Sequence, residues 1–177
     1  MIKFYNTIER KKVEFSSIVD QNVSLYTCGP TVYDFAHIGN FRAYIFEDLL
    51  RRTLEFCDYK VLHVMNLTDI DDKTINKANS EKIPLKDFTD KYIAAFYEDV
   101  ALLNILPAHH YPRATEFIDG MIKMIQGLES KGYTYTTDDG SVFFKISNYK
   151  DYGRLANLQV EDLILGERVE NDEYEKE

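Results

Sequence analysis

The strongest constraint on the fold is a β-prone run, a helical pattern and a second β-prone run that follow one another between residues 23 and 65. Residues 23–27 form the first run, which Cys28-Gly29-Pro30 ends. Residues 61–65 form the second run, which is apolar on both faces, as in a covered strand of a parallel sheet. Between them, apolar residues recur at helical spacing, and Asn40 is expected to cap this helix. The order predicts a βαβ unit in an α/β fold, with a parallel sheet and a right-handed crossover.

Helical patterns dominate the rest of the chain. The predicted elements are a short helix over 71–79, a longer helix that Pro84 opens and Pro107 ends, a helix that Thr115 caps and Gly132 closes, a hairpin over 133–136 and 141–145, and a last periodic piece over 160–165. The methionines and aromatic residues of the helical stripes are interpreted as core. A doubly wound nucleotide-binding sheet needs two βαβ halves, and only one is visible. The second half is therefore expected to lie outside this chain.

The charge of the chain is unevenly distributed. Its net charge is −9, and eight acids against two bases fall after residue 160, a stretch interpreted as a solvated, frayed terminus. The remaining 22 acids and 19 bases nearly balance, so the acidity does not argue against a polyanionic partner. No stretch approaches the ~20 apolar residues that a membrane span needs. Where a signal peptide needs an apolar run, the chain carries Lys3, Glu9, Arg10, Lys11 and Lys12. Two cysteines are too few for a disulfide scaffold, so we expect a soluble, cytoplasmic protein without membrane contact.

The first chemically dense segment spans residues 26–42, where a strand ends and a helix begins. Ligands of parallel α/β sheets bind outside the carboxyl ends of the strands, and helix N-termini favour anions. Gly39 leaves room for a ligand to approach the backbone, and His37 and Asn40 can both donate hydrogen bonds there. These residues suit a nucleotide phosphate, although an ordinary loop that caps a helix would also account for His37-Ile38-Gly39-Asn40.

The second dense segment, residues 66–73, follows the second strand directly and is expected at the same edge of the sheet. Asn66 and Thr68 are short hydrogen-bonding residues at a strand end, where substrate atoms would lie. The three carboxylates that follow, Asp69, Asp71 and Asp72, could instead serve only the dipole of the next helix. From the residues alone, both interpretations stay open.

Taken together, the two segments resemble the cysteinyl-tRNA synthetases, a family of class I aminoacyl-tRNA synthetases. The motifs that carry the resemblance are Cys28-Gly29-Pro30-Thr31-Val32-Tyr33-Asp34, His37-Ile38-Gly39-Asn40, Asn66-Leu67-Thr68-Asp69-Ile70-Asp71-Asp72-Lys73, Ala101-Leu102-Leu103-Asn104-Ile105, Pro112-Arg113-Ala114-Thr115, Gly132-Tyr133-Thr134-Tyr135 and Tyr152-Gly153-Arg154-Leu155. They run through nearly the whole chain in the order of the family. Several motifs in register are far more specific than any one of them.

The sequence departs from the family in three respects. The class I element usually ends in His, whereas here it ends in Asn40, which can donate a hydrogen bond but carries no charge. Position 43 is Ala43, where some members carry Thr. Members are also more than twice as long, and their Lys-Met-Ser-Lys-Ser loop and anticodon-recognising region have no counterpart here. The resemblance therefore implies the first half of a Rossmann-like catalytic domain over 1–106 and the start of the α+β connective peptide over 107–177.

The resemblance also implies roles for individual residues. Cys28 would be a zinc ligand, with the other ligands beyond residue 177, and Mg²⁺ would accompany ATP. His37 and Asn40 would be catalytic and, with Gly39, would contact the ATP phosphates. The remaining site residues would line the cysteinyl-adenylate pocket: Gly29, Thr31, Asn66 and Thr68.

The implied function is the ATP-dependent activation of L-cysteine and its transfer to tRNA(Cys). The isolated chain is expected to be inactive, because it would carry only part of the site. Two alternatives remain: a ligase that transfers the same adenylate to an amino-sugar, and a non-catalytic module that binds a nucleotide or a partner.

Other polar residues receive no catalytic role. Arg10-Lys11-Lys12 and Arg51-Arg52 are expected to be small exposed basic clusters, and contact with tRNA is left open. Cys57 is expected to be inert packing, His63 to lie in a buried strand, and His109-His110 to lie in a solvated loop.

Overall fold

The computed structural model describes residues 2–156 of the chain. The elements, in chain order, are β1 Lys3–Asn6, β2 Lys11–Glu14, β3 Asn22–Thr27, α1 Ile38–Phe56, β4 Lys60–Met65, α2 Asp72–Glu81, α3 Leu85–Leu102, α4 Ile118–Ser130, β5 Thr134–Thr136 and β6 Val142–Phe144, with 3₁₀ turns at Ala114–Phe117 and Ile146–Asn148. The chain forms two compact units, one of residues 17–119 and the other of the residues on either side. The periodic piece predicted over 160–165 and the acidic terminus lie outside the described residues.

The unit of residues 17–119 contains the predicted βαβ arrangement. Strands β3 and β4 pair in parallel, with Asn22 opposite Lys60 and Thr27 opposite Met65, and α1 connects them. On its other edge, β4 lies beside an extended segment over 109–113, where the Met65 N–H donates to the His110 carbonyl at 3.0 Å. The mixed α/β architecture and the parallel pair are confirmed.

Helix α3 provides most of the core of this unit. Its buried face packs with Val32, Tyr44 and Leu67, which come from the loop after β3, from α1 and from the segment after β4. The buried residues of α3 are Phe88, Thr89, Tyr92, Ile93, Phe96 and Val100. The prediction that this aromatic stripe is core is confirmed. The same interpretation is wrong for α4, which buries no residue within the part of the chain that the structure describes.

Several predicted helix ends are wrong by a few residues. Helix α1 is capped by His37 rather than Asn40, which sits three positions inside the helix. Helix α3 ends at Leu102, well before Pro107, because Asn104 adopts a left-handed conformation with φ 55°. Thr115 lies in a 3₁₀ turn and caps no helix, since its hydroxyl donates to Asp69 Oδ2 at 2.6 Å.

The second unit contains two hairpins. Strands β5 and β6 form the predicted antiparallel hairpin, and Gly140 takes a φ of +87° in its turn. Gly132, with φ +73°, follows the end of α4 as predicted. The hairpin of β1 and β2 was not predicted, because its second strand carries Lys11, Lys12 and Glu14 and has little β-prone character. Within residues 2–156, none of the helices has both the length and the apolar character that crossing a membrane requires.

Candidate functional site

The two motif segments meet where β3 and β4 end. Beyond the last paired residues, the chain segments remain bonded: the Thr68 N–H donates to the Pro30 carbonyl at 3.0 Å, and the Val32 N–H donates to the Thr68 carbonyl at 3.1 Å. The Gly29 N–H also donates to Asn66 Oδ1 at 3.0 Å. The sequence prediction that both segments lie at one edge of the sheet is therefore confirmed.

Gly29 and Asn66 hold these segments together. A Cβ atom on Gly29 would lie 1.8 Å from the Asn66 carbonyl oxygen and 2.9 Å from Met65 Cγ, so only glycine fits. Asn66 accepts from Gly29 and donates through Nδ2 to Thr68 Oγ1 at 3.0 Å. Both residues thus stabilise the contact between the two segments, in addition to the substrate contact predicted for them.

A cleft of about 340 Å³ opens beside this edge. It is lined by Gly29, Pro30, Thr31, Tyr33, Asp34, Phe35, Ala36, His37, Asn40, Tyr44 and Lys73. The predicted pocket residues Gly29 and Thr31 line the cleft, whereas Asn66 and Thr68 are not among its lining residues. The cleft brings the His37 and Asn40 side chains into one concave site at the carboxyl end of a parallel pair of strands.

A reciprocal cap fixes the orientation of both side chains. The Gly39 N–H donates to His37 Nδ1 at 3.0 Å, and the His37 N–H donates to Asn40 Oδ1 at 3.0 Å. Because Nδ1 is an acceptor, the neutral His37 ring carries its hydrogen on Nε2. Because Asn40 Oδ1 is an acceptor, the Asn40 amide hydrogens remain available. Each residue therefore keeps a donor that the cap does not use.

This cap changes the expected way in which the site would bind an anion. Three backbone N–H groups of the first turn are already engaged, since that of Gly39 donates to His37 Nδ1 and those of Asn40 and Phe41 donate to the His37 carbonyl at 2.9 and 3.2 Å. The prediction that Gly39 leaves space for a ligand also needs correction. A Cβ atom there would lie 2.9 Å from Cε1 and 3.0 Å from Nδ1 of His37, so the ring occupies that space. The donors that the cap leaves unused belong to the side chains of His37 and Asn40, which both line the cleft.

Sequence reasoning missed the charged residues around Tyr33. Lys77 Nζ lies 2.7 Å from Asp34 Oδ2, and this bond lowers the pKa of Asp34, helped by the Phe35 backbone N–H. The ammonium groups of Lys73 and Lys77 lie 5.3 and 5.1 Å from the centroid of the Tyr33 ring. The Asp-Asp-Lys run of the second segment could have pointed to Lys73, but only the fold reveals its place in the cleft.

Cys28 lies at the predicted strand end and is exposed. Its Sγ is 3.6 Å from the Gly29 carbonyl oxygen. Within residues 2–156, no group of three or more His, Cys, Asp or Glu side chains is arranged to hold a metal ion. These residues alone therefore do not fit a zinc site. Cys57 is also exposed, so the prediction that it is packed is wrong.

A second polar cluster surrounds His63, which is 2% exposed as predicted. His63 Nε2 lies 2.8 Å from Thr27 Oγ1, and its backbone N–H donates to His109 Nδ1 at 2.9 Å. Burial lowers the pKa of His63, and the positive charge of Arg51 lowers it further. The His109 ring is thus tied to β4 although it is exposed as expected.

The predicted basic cluster at Arg51-Arg52 is not an exposed patch. Arg51 is 9% exposed, donates through Nη1 to the Pro107 carbonyl at 2.7 Å and pairs with Glu55 at 2.8 Å. Arg52 pairs with Asp48 at 2.7 Å. Arg52 Nη2 also donates to the Asn104 carbonyl at 2.8 Å, so both guanidinium groups anchor the segment after α3 to α1. Arg51 is buried, whereas 41% of the Arg52 side chain stays exposed.

Comparison with known proteins places these features in a family. A family model described as the class I (C) tRNA synthetase catalytic domain matches residues 14–177. A cysteine–tRNA ligase of Chlamydia caviae is 54% identical over 98% of this chain and 36% of its own length. Similar proteins of the same name occur in Brachyspira hyodysenteriae, at 53% identity over 99% of this chain and 37% of the relative, and in Methanosarcina mazei, at 48% identity over 100% of this chain and 37% of the relative.

These matches extend over nearly the whole printed sequence, while the chain spans little more than a third of the length of the relatives. They include both segments that meet at the cleft. The chain therefore belongs to the class I tRNA synthetase catalytic-domain family of the cysteine type.

Proposed function

We propose that this chain contributes to the ATP-dependent activation of L-cysteine and to the transfer of the cysteinyl group to tRNA(Cys). The observation that carries the proposal is the reciprocal cap of His37 and Asn40, which leaves one donor nitrogen unused on each of two side chains that line a cleft at the ends of β3 and β4. The relatives named cysteine–tRNA ligase support the choice of amino acid and acceptor.

In the proposed reaction, an oxygen of the cysteine carboxylate attacks the α-phosphorus of ATP. The bond from that phosphorus to the bridging oxygen breaks, and pyrophosphate leaves with the electron pair. His37 Nε2–H and the Asn40 amide would donate to phosphate oxygens as charge develops on them. Because the cap already orients both groups, little reorganisation is needed when the substrate reacts. Mg²⁺ bound with ATP would neutralise part of the phosphate charge.

The proposed cysteine pocket lies around the Gly29–Asn66 contact. Thr31 and Gly29 line the cleft, and Asn66 holds Thr68 in place, so these four residues together would shape the adenylate site. Cys28 is proposed as one thiolate ligand of zinc, with the further ligands supplied from outside the described residues. Soft thiolate coordination would favour a cysteine substrate over serine.

The finer architecture belongs to the same proposal. Residues 1–106 would form the first half of a Rossmann-like catalytic domain, and residues 107–177 would begin the connective peptide, which faces the tRNA acceptor end in the family. A cytoplasmic location would follow from this role in protein synthesis. The parallel pair of β3 and β4, with α1 between them in the chain, supports the first of these assignments.

A hybrid protein tests the proposal directly. In it, this chain replaces the matching 36% of the Chlamydia caviae relative. We expect cysteine-dependent exchange between ATP and pyrophosphate, and charging of tRNA(Cys). His37→Ala and Asn40→Ala should each lower kcat of exchange by ~10²–10³. His110→Ala is the control, because the His110 side chain is exposed and does not line the cleft.

The same assay separates the alternatives. A folded hybrid without exchange would contradict the proposed activity and favour a non-catalytic module. Exchange without tRNA charging, combined with acylation of a glucosamine-containing acceptor, would favour the amino-sugar ligase. The relatives compared above are named as tRNA ligases and lend no support to that second outcome.

A further inference from the structure

The cleft contains one basic side chain that neither the cap nor the ion pairs of the fold account for. Lys73 is the sole lysine or arginine among the lining residues, and Asp34 is the sole carboxylate. Lys77, which lies outside the lining, already pairs with Asp34 at 2.7 Å. The acid is thus neutralised by a different lysine, and Lys73 gives the cleft a net positive charge.

The Lys73 ammonium group has no carboxylate partner among the described residues. Its position over the Tyr33 ring, 5.3 Å from the centroid, is a cation–π contact, which uses no N–H donor. All three ammonium hydrogens therefore remain available to a ligand. The ammonium of Lys77 lies on the same ring at 5.1 Å, so an anion near Lys73 would also relieve repulsion between the two lysines.

The backbone of Lys73 is held in place. Its N–H donates to Asp71 Oδ1 at 2.8 Å, within the cap of α2, and the next residue, Thr74, is completely buried. The side chain therefore extends from a fixed point at the start of a helix. Engaging a ligand therefore requires no ordering of the backbone at Lys73.

A polyphosphate requires a charge that the other cleft donors do not provide. In the capped state His37 Nδ1 is an acceptor, so the ring is neutral, and the Asn40 amide is neutral as well. Both can donate hydrogen bonds but cannot balance several negative charges. Lys73 is the group of the cleft that can.

We propose that Lys73 is a phosphate-binding residue of the cleft, and that its ammonium group pairs with the polyphosphate chain of a nucleotide whose phosphates also meet His37 and Asn40. This inference rests on the proposed function for the identity of the nucleotide as ATP. The chemistry that it names, a polyphosphate anion bound by Lys73, stands on the cleft itself and can be tested without cysteine or tRNA.

The probe is inorganic tripolyphosphate, titrated into the ¹⁵N-labelled full chain at low salt and followed through the backbone amide signals of Gly39, Asn40 and Lys73. Adenosine, which lacks phosphate, is titrated separately. Lys73→Gln should weaken tripolyphosphate binding about tenfold or more, because a charge-assisted contact is lost. Lys73→Arg should stay within about threefold of the wild type, since the charge is kept. Neither variant should change the response to adenosine.

Lys91→Gln is the matched control. The Lys91 ammonium group lies over the rings of Phe35 and Tyr92, at 5.7 and 4.9 Å from their centroids, and Lys91 does not line the cleft. The Lys91→Gln substitution removes the same charge as Lys73→Gln. Superimposable amide spectra outside the cleft establish that each variant is folded. Equal losses in Lys73→Gln and Lys91→Gln would show general electrostatic attraction and overturn the proposal. Tripolyphosphate that leaves the cleft signals of the wild type unmoved would also overturn it.

The outcome for Lys73 is independent of the outcome for the proposed activity. A hybrid protein that performs no cysteine-dependent exchange, together with Lys73-dependent binding of tripolyphosphate, would refute the activity and retain the phosphate site. An active hybrid in which Lys73→Gln leaves the KM for ATP unchanged would refute the phosphate site alone.

Discussion

At the residue scale, two side chains at the start of α1, His37 and Asn40, each use one polar atom to cap the helix and leave another unused. One nitrogen of His37 and the oxygen of Asn40 close the cap, while the remaining nitrogen of each side chain is free. Substitutions can therefore remove the oxygen of Asn40 that closes the cap, or the amide nitrogen that we propose binds phosphate, separately.

Two substitutions of Asn40 exploit this division. Asn40→Asp keeps an oxygen that accepts from His37 and adds a negative charge near a helix N-terminus, so the free energy of unfolding should stay within about 0.5 kcal/mol of the wild type. Its affinity for tripolyphosphate should fall at least about tenfold, because a donor becomes an anion. Asn40→Ala should lower both the affinity for tripolyphosphate and the free energy of unfolding, the latter by about 1 kcal/mol. Urea unfolding and the amide titration measure the two effects; a stable Asp variant with undiminished phosphate affinity would contradict the assignment.

Cys28 leads to a prediction about metal content. One exposed thiolate, with no further ligand group among residues 2–156, cannot complete a tetrahedral site. The purified chain, exposed to zinc and then dialysed, should keep much less than one zinc per chain, and Cys28→Ala should not differ from it. Atomic absorption measures the zinc. Stoichiometric zinc that Cys28→Ala removes would show that this chain supplies a complete site.

Much of the placement of the site residues could be predicted from the sequence, and the exceptions have a common cause. The motif residues Gly29, Thr31, His37 and Asn40 do line one cleft. The sequence could not reveal which atoms of His37 and Asn40 the cap would use, because that depends on the backbone geometry at the helix start. Lys73 was missed because its importance depends on the ion pair of Lys77 with Asp34, the only carboxylate among the lining residues of the cleft.

At the scale of elements, the loop after β3 can approach the end of β4 closely because Gly29 has no side chain. In Gly29→Ala, the added Cβ would meet a backbone oxygen at 1.8 Å, which no side-chain rotation can relieve. The free energy of unfolding should fall by about 2–3 kcal/mol or more. Gly127→Ala is the control, since nothing lies within 4 Å of its added Cβ in α4, and it should be neutral or stabilising by up to about 1 kcal/mol. Chemical denaturation of both variants decides; equal stabilities would refute the close-approach argument.

The buried ring of His63 in β4 makes stability depend on pH. Because burial lowers the pKa of His63 in the folded state, protonation favours the unfolded chain. Its contribution is therefore fully present above about pH 6.5, the unfolded value, and is lost as pH falls through the lower folded value. His63→Gln, which can still reach Thr27, should flatten the dependence of the unfolding free energy on pH between 7 and 5. A variant with the same slope as the wild type would assign the dependence to other groups.

Prediction of the elements succeeded where the signal was local and periodic. The parallel pair, the stripe of α3 and the hairpin of β5 and β6 each have a pattern within their own residues. Failures occurred where another segment decides the outcome. Thr115, for example, would cap a helix on local grounds, but buried Asp69 takes both its N–H and its hydroxyl.

At the scale of the whole molecule, the proposed formation of an adenylate would need more hydrogen-bond donors than the described cleft supplies. The printed sequence contains no Lys-Met-Ser-Lys-Ser loop, and the described cleft offers few donors to a reacting phosphate. Each missing donor typically costs ~10²–10³ in kcat. We therefore expect the 177-residue chain alone to form no detectable cysteinyl-adenylate. Cysteine-dependent ATP–pyrophosphate exchange, run beside the hybrid protein, measures this; a comparable rate for the chain alone would show that its residues are self-sufficient.

The placement of β4 between two partners has a consequence for the order of folding. Helix α1 lies between β3 and β4 in the chain, and two helices lie between β4 and the 109–113 segment, so His63 and His109 are 46 positions apart. Such distant partners must overcome loop-closure entropy before their contacts stabilise the chain. Hairpins and single helices can form first, whereas the strand end that carries Asn66 is secured only when residues 109–113 dock. The cleft is therefore expected to be among the last parts of this unit to become ordered.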